Sequence, residues 1–292
     1  LGGSIATNAS GARTFHYGAT RQWIEALELV LPTGEPLTVE RGDVTARDGR
    51  LCFAVGGRDL DIPIPTYPMP AVKNAAGLYA APDMDLVVLF VGAEGILGVV
   101  TQARLKLARL DCEIIAEIAF FNSLEDAFGF VADLRQAKTE GLPVLSIEYF
   151  DGHALNFMQH PTVRGNYAAA IYTEIAGSMD DAEALLVALE ENNVAQDWFA
   201  EDAAERQEQK DFRHSLPDGV NAYLRRQGSH KLGTDFAVPA EQFPKLLALS
   251  MEAADAFRAQ FPHEGEHTAT WGHLGNYHLH FNFLARNAEE LA

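Results

Sequence analysis

The spacing of apolar and polar positions divides the chain into two stretches with different rhythms. In the first stretch, apolar runs bounded by turn residues predict three strands, at 23–31, 36–39 and 99–107. The segment 41–80 between them is rich in Gly, Pro and Asp and is predicted to be a loop or lightly structured. A compact apolar run, Asp85–Val91, follows that segment.

The second stretch alternates strands with amphipathic helices. Its predicted strands are 113–121, 143–150, 167–176, 231–238, 268–274 and 277–284. Its predicted helices are 123–140, a short one after 150, 180–192, about 200–214, and 240–260. This alternation predicts an α+β fold in which helices cover one face of an antiparallel sheet. The predicted domain break lies near residues 108–112, which gives domains 1–108 and 109–292, with no flexible linker between them.

Composition narrows the classes of partner. The 292 residues include 41 acidic and 22 basic side chains, a formal net charge of −19. Nucleic acid and anionic lipid surfaces both require a basic face, so the charge argues against both as partners. The only two cysteines, Cys52 and Cys112, make neither a disulfide framework nor a cysteine-based metal site, which is typical of a reducing cytoplasm. No apolar run reaches the length of a membrane span, and no signal peptide is visible.

Two glycine-rich segments are the first candidates for ligand binding. One runs from Leu1 to Gly18, and the other from Gly92 to Val99. Glycine lets a backbone come close to a ligand, and the N–H groups of such a segment can hold an anion such as a phosphate. Each segment alone is most often a simple turn. Because both lie beside strands in one domain, together they predict two backbone walls around an extended ligand, with Glu94 either accepting hydrogen bonds from a ribose or fixing a loop.

The two segments, in this order, resemble the FAD-binding domain of the vanillyl-alcohol oxidase superfamily. The resemblance extends over essentially the whole chain and is greatest to the D-2-hydroxyacid dehydrogenases of the D-lactate, glycolate and D-2-hydroxyglutarate types. It implies the second half of such an FAD-binding domain in 1–108, followed by an antiparallel-sheet substrate (cap) domain with covering helices in 109–292. The FAD-binding residues that it implies are Gly3, Ile5, Ala6, Thr7, Asn8, Gly11, Tyr17, Gly18, Lys73, Asn74, Glu94, Gly95, Gly98 and Val99.

The segment from Arg213 to Pro217 and the run Asp235–Pro239 resemble the cap domain of the same family. There an arginine binds the substrate carboxylate, for which a planar bidentate donor is well suited, so the resemblance implies this role for Arg213. A solvated salt bridge on a charged helix is the other interpretation of that residue. Lys231 is the implied catalytic lysine, although the family has its lysine two residues before the aspartate, where this chain has Gly233. Pro217 stands where some relatives have a hydroxyl residue.

The segment 271–280 resembles the family motif Gly-His-x-Gly-Asp-Gly-Asn-x-His. The match implies that His273 and His280 bind a divalent ion, often zinc, which polarises the 2-hydroxy group of the substrate. The chain departs from the motif with Asn276 for Asp, Tyr277 for Gly and His278 for Asn. Strand periodicity puts His278 on the face of His280, either as a third ligand or only directed at the same pocket. A buried structural imidazole is the alternative for each histidine.

A second group of acidic and histidine side chains comes just before this motif. It consists of His263, Glu264, Glu266 and His267. Their spacing does not match the helical His-Glu-x-x-His pattern of zinc sites, so a solvated loop is predicted.

The implied function is the FAD-dependent transfer of hydride from a small D-2-hydroxyacid to flavin. Electrons would then pass to a quinone, an electron-transfer flavoprotein or an iron–sulfur subunit. A homodimer and a cytoplasmic location, peripheral to the inner membrane through the acceptor, are compatible with this function. The family's upstream pyrophosphate loop and downstream Glu-His-Gly motif are not in the sequence, so we expect a fragment of a longer protein that binds FAD weakly or not at all. Alternatives are a related flavoenzyme that oxidises an alcohol or makes an ether lipid precursor, and a non-catalytic flavin-fold module.

Overall fold

The computed structural model describes residues 1–109, 113–177 and 179–291. The chain divides into two compact units, Leu1–Leu110 and Asp111–Ala292. The predicted break near 108–112 falls partly on residues outside the described ones, as does Cys112. Cys52 is a free, exposed thiol.

The first unit is built on a small antiparallel sheet. The strands of the unit are β1 (Ile24–Val30), β2 (Pro36–Glu40), β3 (Arg50–Val55), β4 (Arg58–Pro63) and β5 (Val99–Leu105). Its helices are α1 (Gly2–Ala6), α2 (Thr14–Tyr17) and α3 (Leu86–Leu89). The three-stranded sheet has the order β2-β1-β5, and its core contains Ile24, Leu27 and Leu29, which pack with Ile5 and Leu86.

One prediction for this unit was wrong in part. Within the segment predicted to be a loop, β3 and β4 form an antiparallel hairpin in which Val55 pairs with Arg58. The turn between them is Gly56-Gly57, both at positive φ, which is the conformation that a two-residue hairpin turn requires. In the N-terminal glycine-rich segment, Gly2–Ala6 forms a short helix whose Ile5 is buried in the core.

The second unit is a layered α+β domain. Its first strands and helices are β6 (Ile114–Phe121), α4 (Leu124–Glu140), β7 (Val144–Asp151), α5 (Gly152–Leu155), β8 (Ala169–Ala176), α6 (Met179–Glu191) and β9 (Gln196–Phe199). The rest are α7 (Ala203–Gln227), β10 (Lys231–Gly233), β11 (Phe236–Ala237), α8 (Phe243–Gln260), β12 (Thr268–His273), β13 (His278–Leu284) and α9 (Ala288–Leu291). The eight strands form one antiparallel sheet of order β10-β13-β12-β7-β8-β6-β9, with β11 also paired to β13.

Helices cover both faces of this sheet, which corrects the prediction of one covered face. Phe120 and Phe121 show the arrangement, because neighbouring side chains of a strand point to opposite faces. Phe120 belongs to the core that includes Phe212 of α7, whereas Phe121 lies against Phe130 of α4 at 5.6 Å between ring centroids. The central strands β6, β7 and β8 are therefore buried along nearly their whole length.

Helix α7 continues well beyond its predicted end near residue 214. Asp202 caps its N-terminus, and Gly228, in the left-handed conformation, ends it. Its buried apolar side chains, Phe212, Leu216, Val220 and Leu224, recur every four residues and pack on the sheet. This burial keeps the helix continuous through Pro217, which has no N–H for the carbonyl of Arg213, four residues earlier.

Among the residues described, no helix is both long and apolar enough to cross a membrane.

Glu117 is a buried carboxylate in the middle of β6. Its Oε1 accepts a hydrogen bond of 3.1 Å from the backbone N–H of Trp198, while Oε2 is buried without a hydrogen-bond partner among the described residues. Burial, reinforced by the nearby charge of Asp197, raises the pKa of Glu117 from 4.5 to about 8. The folded protein therefore holds this carboxyl in its neutral form at neutral pH.

Replacing this carboxyl should change the pH dependence of stability. Between pH 4.5 and 8 the unfolded chain releases the Glu117 proton and the folded chain keeps it, so stability falls as pH rises through this window. The variant Glu117→Gln lacks that loss, and we expect it to gain up to about 5 kcal/mol over the parent at pH 9 and little at pH 4.5. Urea unfolding at both pH values measures the difference. The exposed Glu183→Gln is the control, and equal gains at both pH values would contradict the assignment.

Candidate active site

The register of four neighbouring strands sets a row of side chains across one face of the sheet. His278 of β13 lies directly opposite His273 of β12, which lies opposite Glu148 of β7, which lies opposite Tyr172 of β8. Directly opposed residues point to the same face of a sheet, here the face covered by α7. Two predicted site regions, the histidines and the α7 arginine, therefore meet on one surface.

Glu148 is the residue that joins these two regions. The Nδ1 atom of His273 lies 2.7 and 2.9 Å from the two carboxylate oxygens of Glu148. From the other side, Nη1 of Arg213 donates to Oε2 of the same carboxylate at 3.4 Å. The Glu148 side chain is only 8% exposed and that of Arg213 20%. A buried carboxylate requires such donors, because an isolated charge is unfavourable in the interior.

Arg213 has further capacity to bind an anion. Its guanidinium lies over the ring of Tyr172, 5.4 Å from the centroid, and Nη2 donates to Nε2 of His214 at 2.8 Å. Its Nε is buried and has no hydrogen-bond partner among the described residues. The position of Pro217 leaves the helix intact around this side chain. Arg213 can therefore offer an anionic group a donor that the protein itself does not use.

Three imidazoles gather at the end of the β12–β13 hairpin. The ring centroids of His273, His278 and His280 lie between 4.5 and 5.4 Å apart, and one nitrogen from each lies within 4.8 Å of the others. The carboxylate of Asp235 contacts Nε2 of His278 and lies 3.2 Å from Nδ1 of His280. Nitrogen donors with carboxylates behind them are a set that suits a divalent transition metal.

The turn of this hairpin contains one of the departures from the family motif. Tyr277, which stands in place of a glycine, has φ of 49°, a left-handed conformation that glycine adopts without strain. Arg135 of α4 stabilises the turn by donating to the carbonyl of Gly275 and by lying 4.0 Å from the centroid of the Tyr277 ring. Phe243 packs on the same ring at 5.1 Å. These contacts hold the two histidine-bearing strands together.

Lys231 lies near the histidines and not at the carboxylate of Glu148. Its backbone pairs with Leu284, and its ammonium lies 4.9 Å from the centroid of the Trp271 ring. Trp271 is directly opposite His280, with 6.2 Å between the two rings. Burial lowers the pKa of Lys231.

In the first unit, the two glycine-rich segments are joined by hydrogen bonds. The N–H of Gly92 donates to the carbonyl of Ile5 at 2.9 Å, and that of Glu94 donates to the carbonyl of Ala6 at 2.8 Å. Asn8 is fully buried at φ 47°, and its side-chain oxygen accepts from the N–H of Arg21 at 2.9 Å. The side-chain nitrogen of Asn8 has no partner among the described residues. The predicted two walls therefore form one contiguous backbone structure with an unused buried donor.

The other residues predicted to contact the cofactor lie around this junction or away from it. Gly3 and Thr7 belong to the first segment, where the Thr7 hydroxyl donates to the carbonyl of Gly3. Gly11 precedes helix α2, and Tyr17 and Gly18 lie at the end of that helix. In the second segment Gly95 follows Glu94, Gly98 lies close to the carbonyl of Val30, and Val99 begins β5 with its side chain exposed. Lys73 and Asn74 lie in the irregular segment before α3.

Glu148 and Asp235 were not predicted as functional residues. The signal for Glu148 was a charged residue inside an otherwise apolar predicted strand, since buried charges are rare without a partner. The predicted solvated loop is also wrong in part, because Glu266 binds His153 at 2.5 Å and Asn156 at 2.7 Å, and His267 is buried.

Family comparison assigns both units. Residues 113–292 match the family of FAD linked oxidases, C-terminal domain, and residues 1–40 match an FAD binding domain. D-2-hydroxyglutarate dehydrogenase of Xanthomonas citri pv. viticola is 26% identical over 302 residues, which covers 100% of this chain and 53% of that protein. D-lactate dehydrogenase of Archaeoglobus fulgidus is 26% identical and is matched over 96% of this chain and 52% of its own length. The chain thus spans about half the length of these curated relatives.

Solved structures give the same fold. An alkyldihydroxyacetonephosphate synthase superposes with a TM-score of 0.63 at 15% identity, over 99% of this chain and 49% of that one. A 4-ethylphenol oxidase from Gulosibacter chungangensis superposes with a TM-score of 0.56 at 13% identity, over 96% of this chain and 54% of that one. At these identities the likeness is one of fold.

The bridging role of Glu148 makes it important for stability. The variant Glu148→Gln removes the negative charge that pairs with the largely buried guanidinium of Arg213. We expect the free energy of unfolding to fall by about 2 kcal/mol. Urea denaturation measures this loss. The matched control is Asp255→Asn, which breaks the exposed pair with Arg258 and is expected to change stability by less than about 1 kcal/mol. Equal effects of the two substitutions would contradict the role of Glu148.

Proposed function

The chain belongs to the FAD linked oxidases through their C-terminal domain, and from this premise we propose that the full protein oxidises a small D-2-hydroxyacid with FAD as the electron acceptor. Residues 1–108 are proposed as the C-terminal part of the FAD-binding domain, and 109–292 as the substrate domain. The names of relatives, D-2-hydroxyglutarate dehydrogenase and D-lactate dehydrogenase, support this substrate class.

The observation that carries the proposal is the shared carboxylate of Glu148. It holds an arginine on one side and an imidazole of the histidine cluster on the other. A 2-hydroxyacid carries the matching pair of groups on adjacent carbons, a carboxylate and a hydroxyl. Arg213 suits the carboxylate, since guanidinium–carboxylate hydrogen bonds are charge-assisted and directional. The histidine cluster suits the hydroxyl end.

The residues of the first unit fit FAD. The unused side-chain nitrogen of Asn8, at the junction of the two glycine-rich segments, is a donor that a phosphate-bearing cofactor can accept from. We propose that these segments, with Glu94 and Gly95, hold the cofactor. Bound FAD would supply the acceptor for hydride from C2 of the substrate.

The histidines fit a divalent metal. His273 and His280 are the proposed ligands, and Glu148 accepts from His273 Nδ1, which leaves Nε2 of that ring for the metal. A bound zinc-class ion would supply a Lewis acid that lowers the pKa of the substrate hydroxyl. The chain's own part is to orient this end of the substrate, with Trp271 lying between Lys231 and His280.

Lys231 is proposed to act on the same hydroxyl end. Partial desolvation of its ammonium lowers the pKa of Lys231, because desolvation disfavours the charged form, and this is the direction that a lysine acting as a general acid or base requires. The electron acceptor of the reduced enzyme is proposed to be a quinone, an electron-transfer flavoprotein or an iron–sulfur subunit.

The carboxylate role of Arg213 predicts a specific kinetic change. In the flavin-loaded full-length protein, Arg213→Ala should raise KM for the 2-hydroxyacid about 30-fold, which corresponds to the loss of a charge-assisted hydrogen bond of about 2 kcal/mol. KM for the uncharged amide of the same acid should change little. Steady-state reduction of an acceptor dye measures both. Arg226→Ala, exposed at the end of α7, is the control, and an equal rise of KM for acid and amide would rule out carboxylate recognition by Arg213.

The metal proposal predicts reversible loss of activity on chelation. Dialysis against a strong chelator should lower kcat at least tenfold, and added zinc should restore it in the parent protein but not in His273→Ala or His280→Ala. Metal content and turnover are measured on the same samples. Full turnover in protein that has lost its metal would contradict the proposal.

A further inference from the structure

We propose that His278 is a third ligand of the metal, so that three imidazoles from one β-hairpin hold the cation. The inference rests on the metal site of the proposed function and goes beyond it. The family motif has an asparagine at this position, where this chain has a histidine.

The hairpin geometry brings the three rings together. His273 and His278 are directly opposed on β12 and β13, and His280 is two residues further along β13 on the same face. A nitrogen of each ring lies within 4.8 Å of a nitrogen of the others, a spacing that one ion can bridge after small side-chain rotations. Gly272 makes the close approach possible, because a side chain there would collide with the carbonyl of His278.

Each ring has a carboxylate behind it. Glu148 takes Nδ1 of His273, and Asp235 contacts Nε2 of His278 and lies 3.2 Å from Nδ1 of His280. A carboxylate on one imidazole nitrogen fixes the ring and increases the basicity of the other nitrogen, which is the arrangement usual around histidine metal ligands. The same support is present for His278 as for the two histidines of the family motif.

A role in packing alone explains His278 less well. Its side chain is 9% exposed, and buried strand positions of this kind are usually apolar, as are its neighbours Leu279 and Phe281. Three neutral nitrogen donors without a thiolate favour zinc and similar divalent ions. Three protein ligands also leave a fourth coordination position open, which a substrate oxygen can occupy.

The test is zinc binding by the 292-residue protein, without flavin or substrate. Competition with a chromogenic chelator gives the affinity of the parent and of His278→Asn, which installs the residue of the family motif. We expect His278→Asn to weaken zinc binding about 100-fold, as loss of a direct ligand exceeds the effect of an outer partner. His267→Asn, at an equally buried histidine outside the cluster, should bind zinc as the parent does.

A second variant separates ligation from packing. His278→Cys restores a zinc-binding side chain of different shape and should recover most of the affinity, while His278→Asn should not. The rise in melting temperature on adding zinc serves as an independent readout and reveals any variant that fails to fold.

The proposal is overturned if His278→Asn binds zinc within about twofold of the parent, if His278→Cys recovers nothing while folding normally, or if the parent binds no zinc. Because neither flavin nor substrate is present, these outcomes are independent of whether the full protein oxidises a 2-hydroxyacid.

Discussion

The register of the antiparallel sheet is the constraint on which the candidate site depends. His278, His273, Glu148 and Tyr172 come from four strands and lie in one row only because each is paired directly with the next. Side chains alternate between faces with a period of two, so a slip of one residue in any pair would send one member of the row to the opposite face. Both faces of the sheet pack against helices, so such a slip is strongly disfavoured, because it would exchange the side chains that fit each helix for ones that do not.

Electrostatics on the α7 face follow from this register. Glu148 and Glu174 are buried carboxylates on that face, and α7 brings one cation to each, with Arg213 3.4 Å from Glu148 and Lys210 4.0 Å from Glu174. The two cations are three residues apart, which is the spacing that places side chains on one side of a helix. Helix α7 thus places one cation beside each of two buried carboxylates, and its apolar contacts hold those cations in position.

In the first unit the candidate site is assembled by backbone hydrogen bonds, whereas in the second unit it is assembled by side-chain contacts. Its two glycine-rich segments, some 85 residues apart in sequence, are joined by hydrogen bonds from Gly92 and Glu94 to Ile5 and Ala6. Positive φ at Asn8, Glu94 and Gly95 turns the chain sharply at this junction. The backbone N–H groups of Gly92 and Glu94 are used within the junction, and the side-chain nitrogen of Asn8 is the buried donor that has no partner among the described residues.

The sequence by itself determined the strands and most helices, because periods of 2 and 3.6 residues are local properties. It also determined the glycine motifs, Arg213 and the histidines, since their residue types and spacings are visible without coordinates. The β3–β4 hairpin also depends on local sequence, but its Gly-Gly turn lies in a segment whose Gly, Pro and Asp content predicts a loop. Only the tertiary structure decided that α7 runs through Pro217, because packing of four apolar residues outweighs one missing hydrogen bond. It alone decided that Glu148 joins Arg213 to His273, since strand pairing between residues more than a hundred positions apart is not encoded in any local pattern.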